Sequence, residues 1–328
     1  MTEAEFLQRW RAEKPIYAAW GDFVLANITE RLTAAIAPVE LDYFIKVPAK
    51  PRLKAEDTLI DKAFHRNKDY ADPYANITDK VGMRFVVLLT GDITRVCSVI
   101  ESCNELWNHS KDRDYEVERL AKPLEFSYQS VHYIVKAATD INHAGTPIPA
   151  GTPCEIQIRT LLQHAHSELT HDTLYKPKTT ARPEVKRTVA KSMALIEATD
   201  EFFVQAMESL NKVVATQTDL LRLLEKIYAE GVGTPAGSER SNQLVIDAFA
   251  EKLPTDWQTA IPEFFQAKGF IFGRVKERRD TSHFFRQPVV LLAYYLSNTK
   301  PEQTKETWPL DTTDLAPVFS DLGKKFDH

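Results

Sequence analysis

Glycine and cysteine are scarce in this chain, and long apolar runs are missing. Only 11 of the 328 residues are glycine and three are cysteine. Cys97, Cys103 and Cys154 form no CxxC pair, which argues against a zinc site and predicts a reducing, cytoplasmic setting. The longest apolar run, residues 289–296, is far shorter than the roughly 20 residues that span a bilayer, so no membrane association is expected. The acidic, polar start predicts no secretory signal.

The shortage of glycine also excludes the common phosphate-binding loops. The chain contains neither GxxxxGK[ST] nor GxGxxG, and such loops need glycine because only glycine lets the backbone approach a phosphate closely. The densest glycine stretch, residues 231–237, follows a helical pattern and is interpreted as a linker. Any phosphate ligand would therefore have to be held by side chains.

What is present indicates a folded protein with four parts. Hydrophobic residues make up 43%, and the net charge is only −5, which excludes general disorder. Residues 1–45 have apolar residues at helical spacing and predict one or two helices, with Pro15 as the break if there are two. Residues 184–230 contain no glycine or proline and predict one long helix or a helical hairpin. Residues 242–328 predict a mostly helical C-terminal extension.

Residues 46–180 mix strands and helices. β-Branched and aromatic residues predict strands at 83–89, 131–136 and 154–159. One helix is predicted at 92–107 and is followed by a charged loop. Another helix is predicted from 161 to about 174. Because the connections between the strands are long, the pattern predicts an α+β domain.

Four cations lie in a loop that leads into a short helix. Lys50, Arg52, Lys54 and Lys62 fall within 13 residues, and Asp57 is the expected N-cap of the helix. A helix N-terminus favours anions, and added lysine and arginine side chains make a polyphosphate site. The alternative is a solvated charged turn, because nearby acidic residues partly cancel the charge.

Two predicted strands begin with residues suited to metal and base binding. Asp79 stands directly before the first strand, where a carboxylate is held rigidly and can bind Mg²⁺, and Arg84 points off that strand. Tyr128 enters the second strand, where a tyrosine can stack on a base, and His132 follows on it. Each pattern alone is also typical of an ordinary strand.

The third strand, EIQIRT at 155–160, carries polar groups on one face. Glu155, Gln157 and Arg159 alternate with two isoleucines, so they share a face. Polar groups in line on a buried strand are costly without partners, and a functional site would supply them. The alternative is an edge strand with a solvated polar face.

The following helix carries a row of histidine and glutamate residues. His164, Glu168 and His171 share one helical face, which is one arrangement that can bind a metal ion. His166 breaks any known zinc pattern, so a zinc site is disfavoured.

Taken in order, these motifs resemble the synthetase domain of the RelA/SpoT alarmone synthetases. The resemblance covers residues 46–176, and its most specific motifs are YQSVH at 128–132 and EIQIRT at 155–160. Because no paired His-Asp metal motifs of a hydrolase domain precede it, the chain is most similar to the small synthetases with one catalytic domain. Two features depart from the family: Ser127 replaces a usual glycine, and residues 119–125 are not rich in lysine and proline.

The resemblance implies a nucleotidyltransferase-like mixed sheet flanked by helices, and a GTP pyrophosphokinase-like activity. Such an enzyme moves the β,γ-pyrophosphate of ATP to the 3′-hydroxyl of GTP or GDP, with Mg²⁺, to make (p)ppGpp. The implied catalytic and metal-binding residues are Asp79 and Glu155. The implied ATP-binding residues are Arg52, Lys54, Thr58, Lys62 and Arg84. The implied acceptor-binding residues are Lys122, Tyr128, His132, Gln157, Arg159, His164 and Lys176.

Other functions stay open at this point. A toxin-type relative would pyrophosphorylate another acceptor, either an adenosine nucleotide or the 3′ end of tRNA, and would have an antitoxin or regulatory partner. A basic cluster at 274–286 would then contact RNA phosphates, against the simpler interpretation of a solvated face. A third alternative is a non-catalytic nucleotide sensor or an antitoxin-regulated interaction module, which the two carboxylates disfavour. The apolar stripe at 185–210 predicts packing within the chain or, less readily, a homo-oligomer.

Overall fold

The computed structural model describes residues 1–65, 72–126, 129–170, 182–236 and 240–326. The chain divides into two compact units, Met1–Gln205 and Ala206–His328. Within the described ranges, no helix is long and apolar enough to cross a membrane.

The first unit contains a five-stranded mixed sheet and a separate hairpin. The strand order in the sheet is β1-β2-β7-β4-β3. β2 and β7 are parallel, and the other neighbouring pairs are antiparallel. The strands are β1 (Arg52–Leu53), β2 (Val81–Val87), β3 (Trp107–Arg113), β4 (Val131–Ala137), β5 (Ile141–His143), β6 (Thr146–Ile148) and β7 (Pro153–Thr160), of which β5 and β6 form the hairpin.

Helices surround this sheet. A single helix spans the segment around Pro15, which lies inside it without ending it. α3 continues into a π-helical turn at Asp61–His65. The helices are α1 (Glu3–Ile36), α2 (Leu41–Phe44), α3 (Glu56–Ile60), α4 (Pro73–Asn76), α5 (Thr90–Ser102), α6 (Tyr115–Ala121), α7 (Leu161–Thr170) and α8 (Pro183–Gly231), whose last part belongs to the second unit.

The core of the first unit lies between the sheet and α1 with α5. Buried apolar residues recur along α1 at helical spacing, and Trp20 meets Trp107 of β3 edge to face with ring centres 6.3 Å apart. Gly21 allows α1 to approach the sheet closely, because a Cβ there would lie 2.8 Å from side-chain atoms of both Pro51 and Val81. The packing of α1 therefore fixes the position of the loop that leads into β1.

The regular secondary structure described in the second unit is helical. Its central element is α12, in which residues 289–297 are all buried, so the longest apolar run of the sequence is a core helix. Arg278 and Tyr294 both donate hydrogen bonds to the buried carboxylate of Asp321. The helices are α9 (Arg240–Phe249), α10 (Trp257–Ala267), α11 (Phe270–Arg278), α12 (Val289–Thr299), α13 (Pro301–Thr307) and α14 (Leu315–Asp321), with 3₁₀ turns at Ala250–Lys252, Phe284–Arg286 and Thr312–Asp314.

The predicted α+β class, with a mixed sheet flanked by helices and a helical C-terminal region, is confirmed. Three local predictions were wrong. The helix expected at 92–107 is α5, which ends at Ser102. The charged loop expected after residue 107 is strand β3, whose residues after Trp107 are nearly all exposed at the edge of the sheet, so no apolar alternation marks it. The N-cap of α3 is Ala55 and not Asp57, which lies in the first turn.

Candidate active site

Asp79 lies directly before β2 and is clamped by two lysines. The ammonium groups of Lys54 and Lys62 both contact its Oδ2, the second at 2.8 Å. Lys54 follows β1, and its backbone N–H donates to the carbonyl of Lys80 at 2.9 Å. Lys62 lies on the π-helical turn after α3. Backbone pairing and the turn together bring the cationic loop to the start of β2.

These charges determine the protonation of the cluster. Burial by itself would raise the pKa of Asp79, but the charges of Lys54 and Lys62 outweigh it and hold the pKa below its ordinary value. Burial lowers the pKa of Lys54, although the carboxylate of Asp79 opposes that shift. Asp79 is therefore ionised at neutral pH, and its Oδ1 is buried with no hydrogen-bond partner among the described residues.

Glu155 lies on β7 beside this cluster. Its register partner on β2 is Gly82, where an added Cβ would lie 3.2 Å from the Glu155 carbonyl oxygen. The two carboxylate oxygens of Glu155 have separate partners: His132 Nδ1 lies 3.3 Å from Oε1, and Gln157 Nε2 donates to Oε2 at 2.8 Å. Glu155 is thus held in one orientation.

The two carboxylates influence each other through their charges. Burial would raise the pKa of Glu155, but His132 lowers it, with a smaller contribution from Gln157, while the negative charge of Asp79 works against them. The net result is a pKa below the ordinary value, so Glu155 is ionised at neutral pH. The same carboxylate also favours the charged form of Lys54. Asp79 and Glu155 therefore belong to one site.

The donor set of this site fits Mg²⁺. Two ionised carboxylates supply hard oxygen ligands, and the Oδ1 of Asp79 is buried without a described partner. No group of three or more His, Cys, Asp or Glu residues in the described ranges is arranged to hold a metal ion by itself. Mg²⁺ commonly keeps waters and shares phosphate oxygens, so two protein ligands are enough for it.

The residues on the site face of the sheet form two rows, because register partners on paired strands share a face. The first row contains Arg52 of β1, Gly82 of β2 and Glu155 of β7. The second row, two residues further along, contains Arg84 of β2, Gln157 of β7 and His132 of β4. Arg159, the next residue on this face of β7, is buried and donates to Gln157. The sheet thus brings residues from four segments of the sequence together.

Arg84 has a partner that the sequence did not indicate. Its Nη1 donates to Oε1 of Glu168 on α7 at 2.7 Å, and His164 Nδ1 lies 3.8 Å from the same oxygen. Burial, and then the positive charge of Arg159, lower the pKa of His164, with a further contribution from Arg84. His164 is therefore neutral at pH 7. The sequence had grouped Glu168 with metal ligands, whereas its contact here is an arginine.

The remaining predicted residues are less closely connected. Arg52 is exposed, Thr58 is half-buried on α3, and Lys122 is exposed and pairs with Glu125 at 3.1 Å. Tyr128 and Lys176 lie outside the described residues.

The segment that carries these residues matches a known protein family. Residues 51–180 match the family model described as the region found in RelA / SpoT proteins. The chain therefore contains a RelA/SpoT-type domain, as predicted, within the first unit. No curated protein sequence matches the chain significantly.

The structural relatives include small alarmone synthetases of Bacillus subtilis. Synthetase 1 is 17% identical, with a TM-score of 0.50 over 62% of this chain and 99% of its own. Synthetase 2 is 20% identical, with a TM-score of 0.50 over 61% of this chain and 99% of its own. Synthetase 1 bound to its product pppGpp is 18% identical, with a TM-score of 0.51 over 62% of this chain and 98% of its own. At these identities the likeness establishes a small alarmone synthetase fold.

Proposed function

We propose that this chain is an ATP-dependent pyrophosphokinase that transfers the β,γ-pyrophosphate of ATP to the 3′-hydroxyl of GTP or GDP, making (p)ppGpp. The observation that carries the proposal is the pairing of Asp79, inside a lysine clamp, with an oriented and ionised Glu155. Both lie in the RelA/SpoT-type domain. Phosphoryl-group transfer needs this combination, because it depends mainly on positioning and charge neutralisation.

On the donor side, the cations have distinct parts in this proposal. Lys54 and Lys62 bind the ATP phosphates with the help of Thr58. They contact Asp79 in the structure, and a polyphosphate is a more highly charged anion for which they can exchange it. Arg52 and Arg84 hold the adenine ring, since a planar guanidinium can stack on a base.

Asp79 and Glu155 are the residues that would hold Mg²⁺. The ion would neutralise phosphate charge when bound.

Glu155 then acts on the acceptor hydroxyl. The 3′-oxygen of the acceptor forms a bond to the β-phosphorus of ATP, the bond from that phosphorus to the α,β-bridging oxygen breaks, and AMP leaves. Glu155 takes the proton of the hydroxyl, which its ionised state allows. His132 and Gln157 keep the carboxylate in place during this step.

On the acceptor side, the proposed contacts come from the second row of the sheet and its surroundings. Tyr128 stacks on the base, and Lys122, Arg159 and Lys176 contact phosphates. His132, Gln157 and His164 contact the ribose or base. Because His164 is neutral, it recognises a base by hydrogen bonds and not by charge.

No described feature favours the tRNA acceptor. In the basic cluster at 274–286, Arg278 pairs with Asp321, and Arg274 lies 3.1 Å from Glu277. Arg279 and Arg286 donate to backbone carbonyls. These four arginines therefore have partners within the C-terminal unit, and RNA binding is left as one possible result of the experiment below.

The test is product identification with labelled ATP. The protein is incubated with Mg²⁺ and, separately, with GTP, GDP, AMP and deacylated tRNA. We expect label in pppGpp and ppGpp and release of AMP. Label on AMP or tRNA instead would overturn the guanine acceptor, and transfer to none of them would favour the sensor alternative.

Two variants link the activity to the site. Glu155→Gln and Asp79→Asn should each abolish transfer. The matched controls are Glu302→Gln and Asp219→Asn, which make the same chemical changes at exposed positions and should keep full activity.

A further inference from the structure

A hydrogen-bonded junction joins the end of β7 to α8. At the start of α7, the backbone N–H of Thr160 donates to Oε1 of Gln163 at 3.0 Å, and the N–H of Gln163 donates to Oγ1 of Thr160 at 3.1 Å. The Thr160 hydroxyl then donates to Oδ2 of Asp200 on α8 at 2.8 Å. Thr160 is also the last residue of the strand that carries Glu155.

The junction continues to the segment that enters β4. Nε2 of Gln163 donates to Oε1 of Gln129 at 3.3 Å, and Nε2 of Gln129 donates to Oε2 of Glu197 at 2.8 Å. The other oxygen of Glu197 accepts from Nη1 of Arg119 on α6 at 3.1 Å. Gln129 is the residue directly after Tyr128. The carboxylate of Glu197 therefore connects α6 with the segment that enters β4 and, through Gln129, with the start of α7.

The direction of the side-chain amide hydrogen bonds in this junction follows from one backbone group. The N–H of Thr160 can only donate, so Gln163 must present its amide oxygen there and its NH₂ group to Gln129. Gln129 must then accept with its oxygen and donate with its NH₂ group. Glu197, the last residue of this series, accepts one hydrogen bond with each carboxylate oxygen, whereas an amide in the same position would present an NH₂ group to one of the two donors.

Burial makes these bonds selective. Thr160 is 0% exposed, Gln163 is 1% exposed and Gln129 is 7% exposed. A donor left facing another donor there loses water as well as its partner, which is costly. The polarity of the junction is therefore enforced by desolvation.

We propose that Glu197 of α8 is a positioning residue for the acceptor nucleotide. By fixing Gln129 and, through it, Gln163, it holds the start of β4, which carries His132, and the start of α7, which carries His164, next to the strand that carries Glu155. The inference rests on the proposed pyrophosphate transfer and extends it to a helix outside the matched residues 51–180. Among the bonds described for this junction, none involves β1 or the cationic loop, so the loss of Glu197 should affect the acceptor side more than the lysines that bind the ATP phosphates.

The test exchanges donor and acceptor between two positions. Glu197→Gln puts an NH₂ group against a donor, and Gln129→Glu puts two carboxylates together. Each single variant should raise the KM for the acceptor about tenfold, the scale of one lost buried hydrogen bond, and leave the KM for ATP within about twofold. The double variant restores every donor–acceptor pair with the same net charge as the original chain, so its acceptor KM should return close to the original value.

The exposed Glu208→Gln, on the same helix, is the control for the loss of charge and should change neither KM. Equal acceptor KM values in Glu197→Gln and the original chain, or no rescue in the double variant, would overturn the inference. If a single variant does not fold, the double variant alone decides, because its junction is complete. If the original chain transfers no label at all, the proposed function fails. The junction is then tested by thermal unfolding alone, and it is overturned if the double variant is no more stable than the single variants.

Discussion

The ammonium group of Lys80 lies 4.4 Å from the centre of the Tyr74 ring. Lys80 is the residue directly after Asp79 in the chain. Lys80 is 1% exposed and donates to the carbonyl of Ile77 at 2.7 Å. Burial lowers its pKa to about 8, although Glu13 opposes the shift. Lys80 therefore packs at the start of β2 and does not belong to the cationic loop.

The pH dependence of stability should report this lysine. Its pKa is lowered in the folded chain, so between about pH 8 and the ordinary lysine value of about 10.4 the unfolded chain binds more protons. The free energy of unfolding should therefore rise with pH in that window, by up to about 1.4 kcal/mol per pH unit, relative to Lys80→Met. Urea denaturation at pH 7.5, 8.5 and 9.5 measures the difference.

The exposed Lys14→Met on α1 provides the control and should give a difference that does not vary with pH. A pH-independent difference for Lys80→Met as well would show that Lys80 titrates as an ordinary lysine.

Substitutions in the lysine clamp around Asp79 should have different effects on stability and on activity. Asp79→Asn leaves two partly buried ammonium groups without their carboxylate, so it should lower the free energy of unfolding by about 1–3 kcal/mol and abolish transfer. Adding Lys54→Met removes one of these charges and should recover part of the stability but none of the activity. Chemical denaturation and the labelled-ATP assay, made on the same samples, measure the two effects.

If activity returned together with stability in the double variant, Asp79 would be only a partner for the lysines. A metal-binding carboxylate cannot be replaced in that way.

Arg84 offers a test of adenine stacking. Arg84→Ala should raise the KM for ATP about tenfold, and Arg84→Lys should not restore it, because stacking needs the planar guanidinium and not charge alone. The exposed Arg222→Ala is the matched control. Full activity of Arg84→Lys would show that only the charge matters. Glu168→Gln removes the partner of Arg84 and should leave the KM for ATP unchanged or lower.

The parts of the site that could be predicted from sequence lie along single strands. The alternation of Glu155, Gln157 and Arg159 with buried isoleucines reads directly as one polar face, and the structure places the three there. The rows across the sheet could not be predicted, because strand order and register depend on long-range pairing. The contact between Arg84 and Glu168 joins residues 84 positions apart.

The junction with α8 gave no signal in the sequence for a physical reason. Glu197 and Asp200 sit on a helix whose charged residues look like any solvated face. Only the burial of Asp200 at 3% exposure distinguishes it, and burial results from how α8 packs on the domain. Edge strand β3 was missed for the opposite reason, since its side chains are nearly all exposed and show no apolar period.

Asp200 should make stability depend on pH in the acidic range. Burial raises its pKa to about 6, and the hydrogen bond from Thr160 only partly offsets this. Because the folded pKa lies above the unfolded one, the folded chain binds more protons between about pH 6 and the ordinary aspartate value of about 3.9. Protonation of Asp200 therefore contributes stability that is fully present below the unfolded pKa and is lost as the pH rises through 6.

The isosteric Asp200→Asn keeps an oxygen for Thr160 and cannot titrate. Relative to this variant, the original chain should gain stability as the pH falls from 7.5 to 5, measured by urea denaturation at several pH values. The control is Asp219→Asn, which changes an exposed aspartate on the same helix. Relative to this variant, the original chain should gain no stability over the same pH range. A gain of the same size in the control would assign the effect to the general charge of α8, whereas a gain confined to Asp200 ties it to the carboxylate buried against Thr160.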